Sequence, residues 1–243
     1  MILKAFLRQA FRPRISQVLE AMATSTVENY IKQIYALQFE QGSGGMVGMG
    51  DLAAALNVTP GTATSMVKSL ARDKHVAYTP RVGVTLSEQG KRLALHVLRR
   101  HRLVELFLVK TLGMEWHEIH DEAERLEHAI SDRVLVRIDA LLGHPKVDPH
   151  GDSIPSPSGV IAERNLIALD QCPEGQMATI SRIEDQAEDF LQYLESNRLT
   201  PGNEVEVTES DRHAGILSLR FLDGERRRLG FPVASKIQVE LHD

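Results

Sequence analysis

The sequence predicts a mainly α protein with a β-rich C-terminal domain. The expected order is a winged helix-turn-helix, a helical dimerisation and metal-binding domain, and a small Src-homology-3-like barrel. Three observations lead there. Apolar residues recur at helical spacing from Tyr30 to Leu142. A stretch from Gly143 to Gly159 holds four prolines and marks a boundary. Beyond Gln176 the apolar runs shorten into β-like pieces separated by turn residues.

At 243 residues the chain is long enough for one large or two ordinary domains. Its 42% hydrophobic and 25% charged residues are those of a globular protein that buries its core without staples. The single cysteine, Cys172, excludes an intrachain disulfide and points to a reducing, cytoplasmic setting. No apolar run approaches the roughly 18–20 residues needed to cross a bilayer, so no membrane role is expected. A net charge of −5 argues against a generic polyanion binder, but the charge is divided unevenly. From Thr59 to Arg102 nine basic residues face Asp73 and Glu88, whereas from Leu103 to Asp139 nine acids face four bases. An anionic partner on the first segment and a cation on the second would account for both.

Residues 1–22 carry Lys4, Arg8, Arg12 and Arg14 but lack the apolar core of a signal peptide. They are read as an N-terminal extension arising from a start assigned upstream of Met22. Residues 23–96 read as a winged helix. Thr24-Ser25-Thr26-Val27-Glu28 opens a helix carrying Tyr30, Ile31, Ile34, Tyr35 and Leu37, and Gly42-Ser43-Gly44-Gly45 breaks it. A short helix from Gly50 closes at Asn57, and Thr59-Pro60 starts the next with a capping residue and a proline at its first position. That helix puts Ala63, Met66, Val67 and Leu70 on one stripe and Thr62, Thr64, Ser65, Lys68 and Ser69 on the other side. A short helix, a tight turn and a helix with small polar residues and a lysine on its outer face is the layout that enters a major groove. Val76-Ala77-Tyr78 and Val82-Gly83-Val84-Thr85-Leu86 form a wing with Arg81 near its tip. The candidate DNA-binding residues are therefore Thr59, Thr62, Thr64, Ser65, Lys68, Ser69 and Arg81.

Residues 97–142 carry the chemistry. One helix, ended by Gly113, places His101 and Glu105 a turn apart. A second, expected from His120 to about Leu142, places His120, Glu124, Glu127 and His128 on one stripe. Two imidazoles and two carboxylates without a thiolate form a divalent-metal ligand set, and crowded carboxylates repel unless a cation lies between them. Ile130, Val134, Leu135, Ile138, Leu141 and Leu142 exceed the apolar surface a small domain needs and suggest a homodimer. Enzyme motifs are missing. His117-Glu118-Ile119-His120 is one residue short of HExxH, Glu124 stands four rather than three residues before His128, and there is no P-loop or nucleophile elbow. Two rival classes are a metal-independent winged-helix regulator and a helical-bundle metalloenzyme.

Residues 143–172 read as a proline-rich linker, and His144, Asp148, His150 and Asp152 are read as linker residues rather than as ligands. Residues 173–243 form the barrel. Its strands are expected at Met177-Ala178-Thr179-Ile180, Val205-Glu206-Val207, Ile216-Leu217-Ser218-Leu219 and Ile237-Gln238-Val239-Glu240-Leu241, with a helix from Ala187 to Asn197.

The order of winged helix, HRLxE, HDExExxEH and DPHGDSIP, over about residues 24–243, resembles the diphtheria toxin repressor family of metal-dependent transcription regulators. The resemblance implies a homodimer that binds operator double-stranded DNA when Mn(II) or Fe(II) fills two sites per subunit. His101, Glu105 and His120 match the ancillary site, and Glu124, Glu127 and His128 the primary site. Glu124, where iron-type members carry cysteine, favours Mn(II) over Fe(II). Asn29 matches the N-terminal ligand position. One turn later Lys32 replaces a second glutamate, which implies fewer metals there than in manganese-type members. The C-terminal domain resembles ferrous iron transport protein A and places Gln186 and Asp189 toward the ancillary site, Asp189 as the ligand.

Overall fold

The computed structural model describes residues 25–40 and 45–242. The N-terminal extension expected at residues 1–22 lies outside them, as does most of the glycine break. The chain divides into two compact units, Met1–Arg99 and Arg100–Asp243.

In the first unit, α1 (25–35) passes into a π-helical turn, Ala36–Glu40. Then follow α2 (Met49–Ala55), α3 (Pro60–Arg72), β1 (Val76–Thr79), β2 (Gly83–Leu86) and the start of α4 (Glu88–Leu112). Ile31, Ile34, Leu52, Val67, Leu70, Val84 and Ala94 are wholly buried, giving inward faces to α1, α2, α3, β2 and α4. The turn between α2 and α3 closes on Asn57 at φ +51, a left-handed position that asparagine tolerates. Thr59 caps α3: its side chain accepts the Thr62 N–H at 3.2 Å, and Pro60 stands at the first helical position. β1 and β2 pair antiparallel with Val76 opposite Leu86, and Val47 joins the hairpin by exchanging both backbone bonds with Val84. Gly90 lets α4 approach the wing, since a Cβ there would lie 2.0 Å from the His75 carbonyl oxygen.

In the second unit α4 runs to Leu112 and stops at Gly113, φ +70. The single helix expected from His120 to about Leu142 is two helices, α5 (Ile119–Glu127) and α6 (Asp132–Leu141). The break falls where Ser131 starts a new helix by accepting the Val134 N–H, a local cap that outcompetes continuation. Leu103 and Leu106 of α4, Leu135 and Ile138 of α6, and Ile154 form one small core; Val104, Leu108, Ile119 and Ala123 form another.

The C-terminal sheet contains β3 (Ile167–Ala168), β4 (Met177–Ile183), β5 (Glu204–Asp211), β6 (Ile216–Phe221), β7 (Arg226–Gly230) and β8 (Ile237–Leu241), in the order β3-β8-β4-β5-β6-β7, with every pair antiparallel. α7 (Glu188–Ser196) and the one-turn α8 (Phe231–Ala234) complete it. β3, and the turn that buries Leu169 and Cys172 in the barrel core, fall inside the segment expected to be linker. β7 was not expected, because Arg226-Arg227-Arg228 offers no apolar alternation. β4 shifts register between Ile180 and Arg182, a bulge that leaves Ser181 unpaired. Against this bulge lies the 147–153 turn, closed by a Val147–Ser153 bridge. The Ile183 N–H donates to the His150 carbonyl at 2.9 Å. Gly151, at φ +88, is the residue that allows this contact, because a Cβ there would sit 2.0 Å from the Ser181 carbonyl oxygen.

Candidate metal centre and nucleic-acid interface

Helical spacing delivers the expected donors to one place. His101 lies buried on α4 with Glu105 Oε1 2.9 Å from its Nε2 and Glu127 Oε2 2.6 Å from its Nδ1. His120 Nδ1 is 3.5 Å from Glu105 Oε1, and the His101 and His120 rings meet edge-on at 5.0 Å. Glu124 Oε1 stands 3.9 Å from both His101 Nδ1 and His120 Nε2, and His128 Nε2 lies 3.4 Å from Glu127 Oε1. All six expected α4–α5 donors are therefore contiguous. They form two groups that share His101, one with Glu105 and His120 and one with Glu124 and Glu127, with His128 beside the second.

The structure adds two donors that the sequence did not disclose. Asp148 and His150, placed by the turn against the β4 bulge, are buried and join Glu105 in a third group whose ligand atoms lie within 4.8 Å of one another. His150 Nε2 lies 3.1 Å from the Trp116 carbonyl oxygen. A carbonyl only accepts, so this nitrogen carries the proton and Nδ1 holds a lone pair. That Nδ1 is buried without a hydrogen-bond partner, as is Glu105 Oε1, which is near both imidazoles yet well aligned with neither. Buried polar atoms are ordinarily satisfied, so orphaned lone pairs converging from a carboxylate and an imidazole fit a bound cation. Helical periodicity could not find these residues, and a proline-rich loop argued against them; only contact with Glu105 reveals them.

Electrostatics agree. Burial would raise the Glu105 carboxyl, but the charge of His101 and the close approach of the His101 and His120 ring nitrogens outweigh it and hold the group below the usual carboxylate range. Asp148 goes the other way: burial, then the neighbouring Asp152 and Glu105 carboxylates, push it well above its ordinary value despite Arg102 3.6 Å away. Burial lowers the His150 imidazole. Burial thus works against the charged forms of both Asp148 and His150, and a divalent cation would offset that at the carboxyl.

The remaining expected ligands are placed differently. Asp189 is exposed in the first turn of α7, its Oδ1 accepts the Phe190 N–H at 2.8 Å, and no metal-capable group among the described residues includes it. Gln186 donates to Asp152 Oδ2 at 2.9 Å, and Arg182 also holds Asp152. His144 is exposed and paired with Asp139 at 2.9 Å. Asn29 sits half-buried on α1 in the first unit.

In that unit, Thr59, Thr62, Ser65 and Lys68 form an exposed stripe at three-residue spacing along α3, opposite buried Ala63, Val67 and Leu70. Some hydroxyls have local duties. Thr59 Oγ1 is 2.9 Å from Thr62 Oγ1 besides capping the helix, Thr64 Oγ1 donates to the Pro60 carbonyl at 2.7 Å, and Ser69 accepts from Arg72 at 3.2 Å. Ser65 and Lys68 are the side chains best placed to meet an outside ligand. Arg81 is exposed at the wing tip with φ +65.

Comparison with known proteins matches the chain in three pieces. The N-terminal DNA binding domain of the iron dependent repressors matches residues 22–84, their metal binding and dimerisation domain matches 87–156, and the FeoA domain matches 167–241. The iron-dependent repressor IdeR of Mycobacterium tuberculosis is 32% identical over 163 residues, 64% of this chain and 69% of that protein. The regulator MntR of Bacillus subtilis is 34% identical over 127 residues, 52% of this chain and 87% of that protein. A solved manganese-dependent transcriptional repressor in complex with manganese superposes with a TM-score of 0.78 at 38% identity, over 89% of this chain and 100% of that one.

Proposed function

The chain belongs to the iron-dependent repressor family of metal-dependent, DNA-binding transcriptional repressors, and from that premise we propose that it represses metal-homeostasis genes in response to Mn(II), ahead of Fe(II). The observation that carries this reading is the buried convergence of carboxylates and imidazoles on His101, Glu105 and Glu127, without a thiolate. Hard oxygen and imidazole donors suit Mn(II), although zinc would bind the same set tightly in isolation.

The proposed ligands are His101, Glu105, His120, Glu124, Glu127 and His128, joined by Asp148 and His150. A bound divalent ion would supply the positive charge that this acidic cluster lacks. Glu127 is fully buried between two imidazoles and fixes their orientation; Glu105 belongs both to the helical group and to the turn group. Asn29, on α1, is kept as the N-terminal ligand position the resemblance implies, and Asp189 joins no metal-capable group among the described residues. On α3, Ser65 and Lys68, with Thr62, face the major groove, and Arg81 meets the backbone beside it. Val134, Val136 and Leu141 on α6 and Leu112 at the end of α4 are exposed large apolar residues, and a second copy covers them. No catalytic role is assigned. A cytoplasmic location suits the single, buried Cys172, and no described helix is long and apolar enough to cross a membrane.

Control is a linkage: metal and operator DNA favour the same arrangement of the protein, so each raises the affinity for the other. Fluorescence anisotropy on a labelled operator duplex, with Mn(II) or with a chelator, tests it. The repressor reading requires at least a tenfold loss of affinity on chelation. A metal-independent winged-helix regulator would bind equally in both conditions. A metalloenzyme would ignore the duplex.

A further inference from the structure

β7 lies at an open edge of the sheet and carries Arg226, Arg227 and Arg228 in succession. Their settings differ. Arg227 pairs with Glu225, whereas Arg226 and Arg228 are exposed and have no ion-pair partner among the described residues. Both project on the outer face of β7, opposite Arg220 and Ser218 of β6. Of the nearby acids, Glu206 holds Arg220 through two nitrogens, while Glu209 accepts the Ser218 hydroxyl at 3.2 Å and keeps its charge. Thr208, Glu209, Ser218 and the three arginines line an open groove of about 580 Å³. The result is a sheet edge with two guanidinium groups that lack an ion-pair partner, about 7 Å apart, beside one carboxylate and unpaired backbone.

A second copy is a poor occupant, because antiparallel pairing of two β7 edges would set arginine triplets against each other. Charge on an edge strand also guards against unwanted pairing, but that guard requires no particular ligand. Two adjacent guanidinium groups spaced like successive backbone charges match a phosphodiester chain. We propose that the β7 arginines are an auxiliary, sequence-independent contact to the phosphate backbone of duplex DNA. The inference rests on the DNA-binding reading above, which makes duplex DNA a ligand of this protein. Arg226 and Arg228 make the contacts, whereas Arg227, on the other face of the strand, stays with Glu225.

The test uses the full-length protein with Mn(II) and a labelled operator duplex titrated over a range of KCl concentrations. R226Q/R228Q is compared with wild type and with R212Q, which removes an exposed cation from the β5–β6 turn. Each lost phosphate contact lowers the slope of log K against log salt by about 0.9. The double variant should lose about 1.8 for every protomer engaged, keep the wild-type response to chelation, and show a thermal midpoint equal to wild type. R212Q should keep the wild-type slope. A double variant with the wild-type slope overturns the proposal and leaves β7 as a guarded edge or a docking strand for an acidic peptide. The same titration on a non-operator duplex at low salt separates the two readings. If wild type shows no metal response but the double variant still binds this duplex more weakly than wild type, the repressor reading fails and the β7 contact stands.

Discussion

The α4–α5 helices and the 147–153 turn offer the same kinds of donor atom, yet only the helices could be read in advance. On α4 and α5 the ligand residues repeat every three or four positions, and that spacing alone puts His101 beside Glu105 and His120 beside Glu124. In the turn, Asp148 and His150 have no helical phase. They reach Glu105 only because Gly151 lets the backbone touch the β4 bulge and because the Ile183 N–H holds the His150 carbonyl. Donors set by secondary structure announce themselves in sequence; donors set by tertiary contact do not. The two sources also differ in vulnerability, since a helix keeps its own spacing while the turn depends on its neighbours.

The largest effect is expected on the helical side. Glu127→Gln keeps the size of a fully buried side chain but removes the charge that faces His101 and His128. Operator affinity in Mn(II) should fall by about 100-fold or more, to the level seen with chelator. A variant that still responds fully to metal would move the centre away from Glu127.

Next comes the turn. Trp116 is the only tryptophan in the chain, and its ring centre lies 5.5 Å from that of His150. Mn(II) should therefore quench Trp116 fluorescence on binding. His150→Ala should abolish the quench and weaken Mn(II) binding by about 10- to 100-fold. An unchanged titration would reduce the turn to a structural support and restore the purely helical reading.

That comparison also measures what the sequence made legible. The winged helix could be followed through Thr59-Pro60, the small polar face of α3 and the Val76–Leu86 hairpin, because each feature is local. The helix break at Ser131 was missed because a side-chain cap worth about 1 kcal/mol is enough to end an otherwise apolar period. β7 was missed because its register comes from β6 rather than from its own arginines. Asp189 was placed toward the metal by resemblance to relatives, and at the start of α7 its Oδ1 accepts the Phe190 N–H.

A smaller effect separates the support from the donors. Gly151→Ala puts a side chain at φ +88 and 2.0 Å from a carbonyl oxygen. It should cost at least about 1–3 kcal/mol of stability, measured by urea unfolding without metal. Mn(II) should restore less stability to this variant than to wild type, because Asp148 and His150 are displaced. Equal rescue would show that the turn does not contribute to the centre.

The smallest effect is a control at a surface ion pair outside the donor set. Asp185 is held below its ordinary carboxylate range, chiefly by its hydrogen bond with Lys236 at 2.7 Å. A depressed carboxylate stabilises the fold above its unfolded value and loses that contribution as pH falls through the folded one. Both side chains are partly exposed, so Asp185→Asn should cost less than about 1 kcal/mol at pH 7. The difference from wild type should vanish in acid, and metal affinity should not change. A change in metal affinity would mean that the barrel surface reports on the centre.

The most direct test of the account is reciprocity. Mn(II) affinity of the full-length protein is measured with and without saturating operator duplex, and operator affinity with and without saturating Mn(II). If the cluster around His101, Glu105 and Glu127 governs DNA binding, the two ratios must be equal and well above one. A Mn(II) affinity indifferent to the operator, beside a protein that still binds it, would contradict the account.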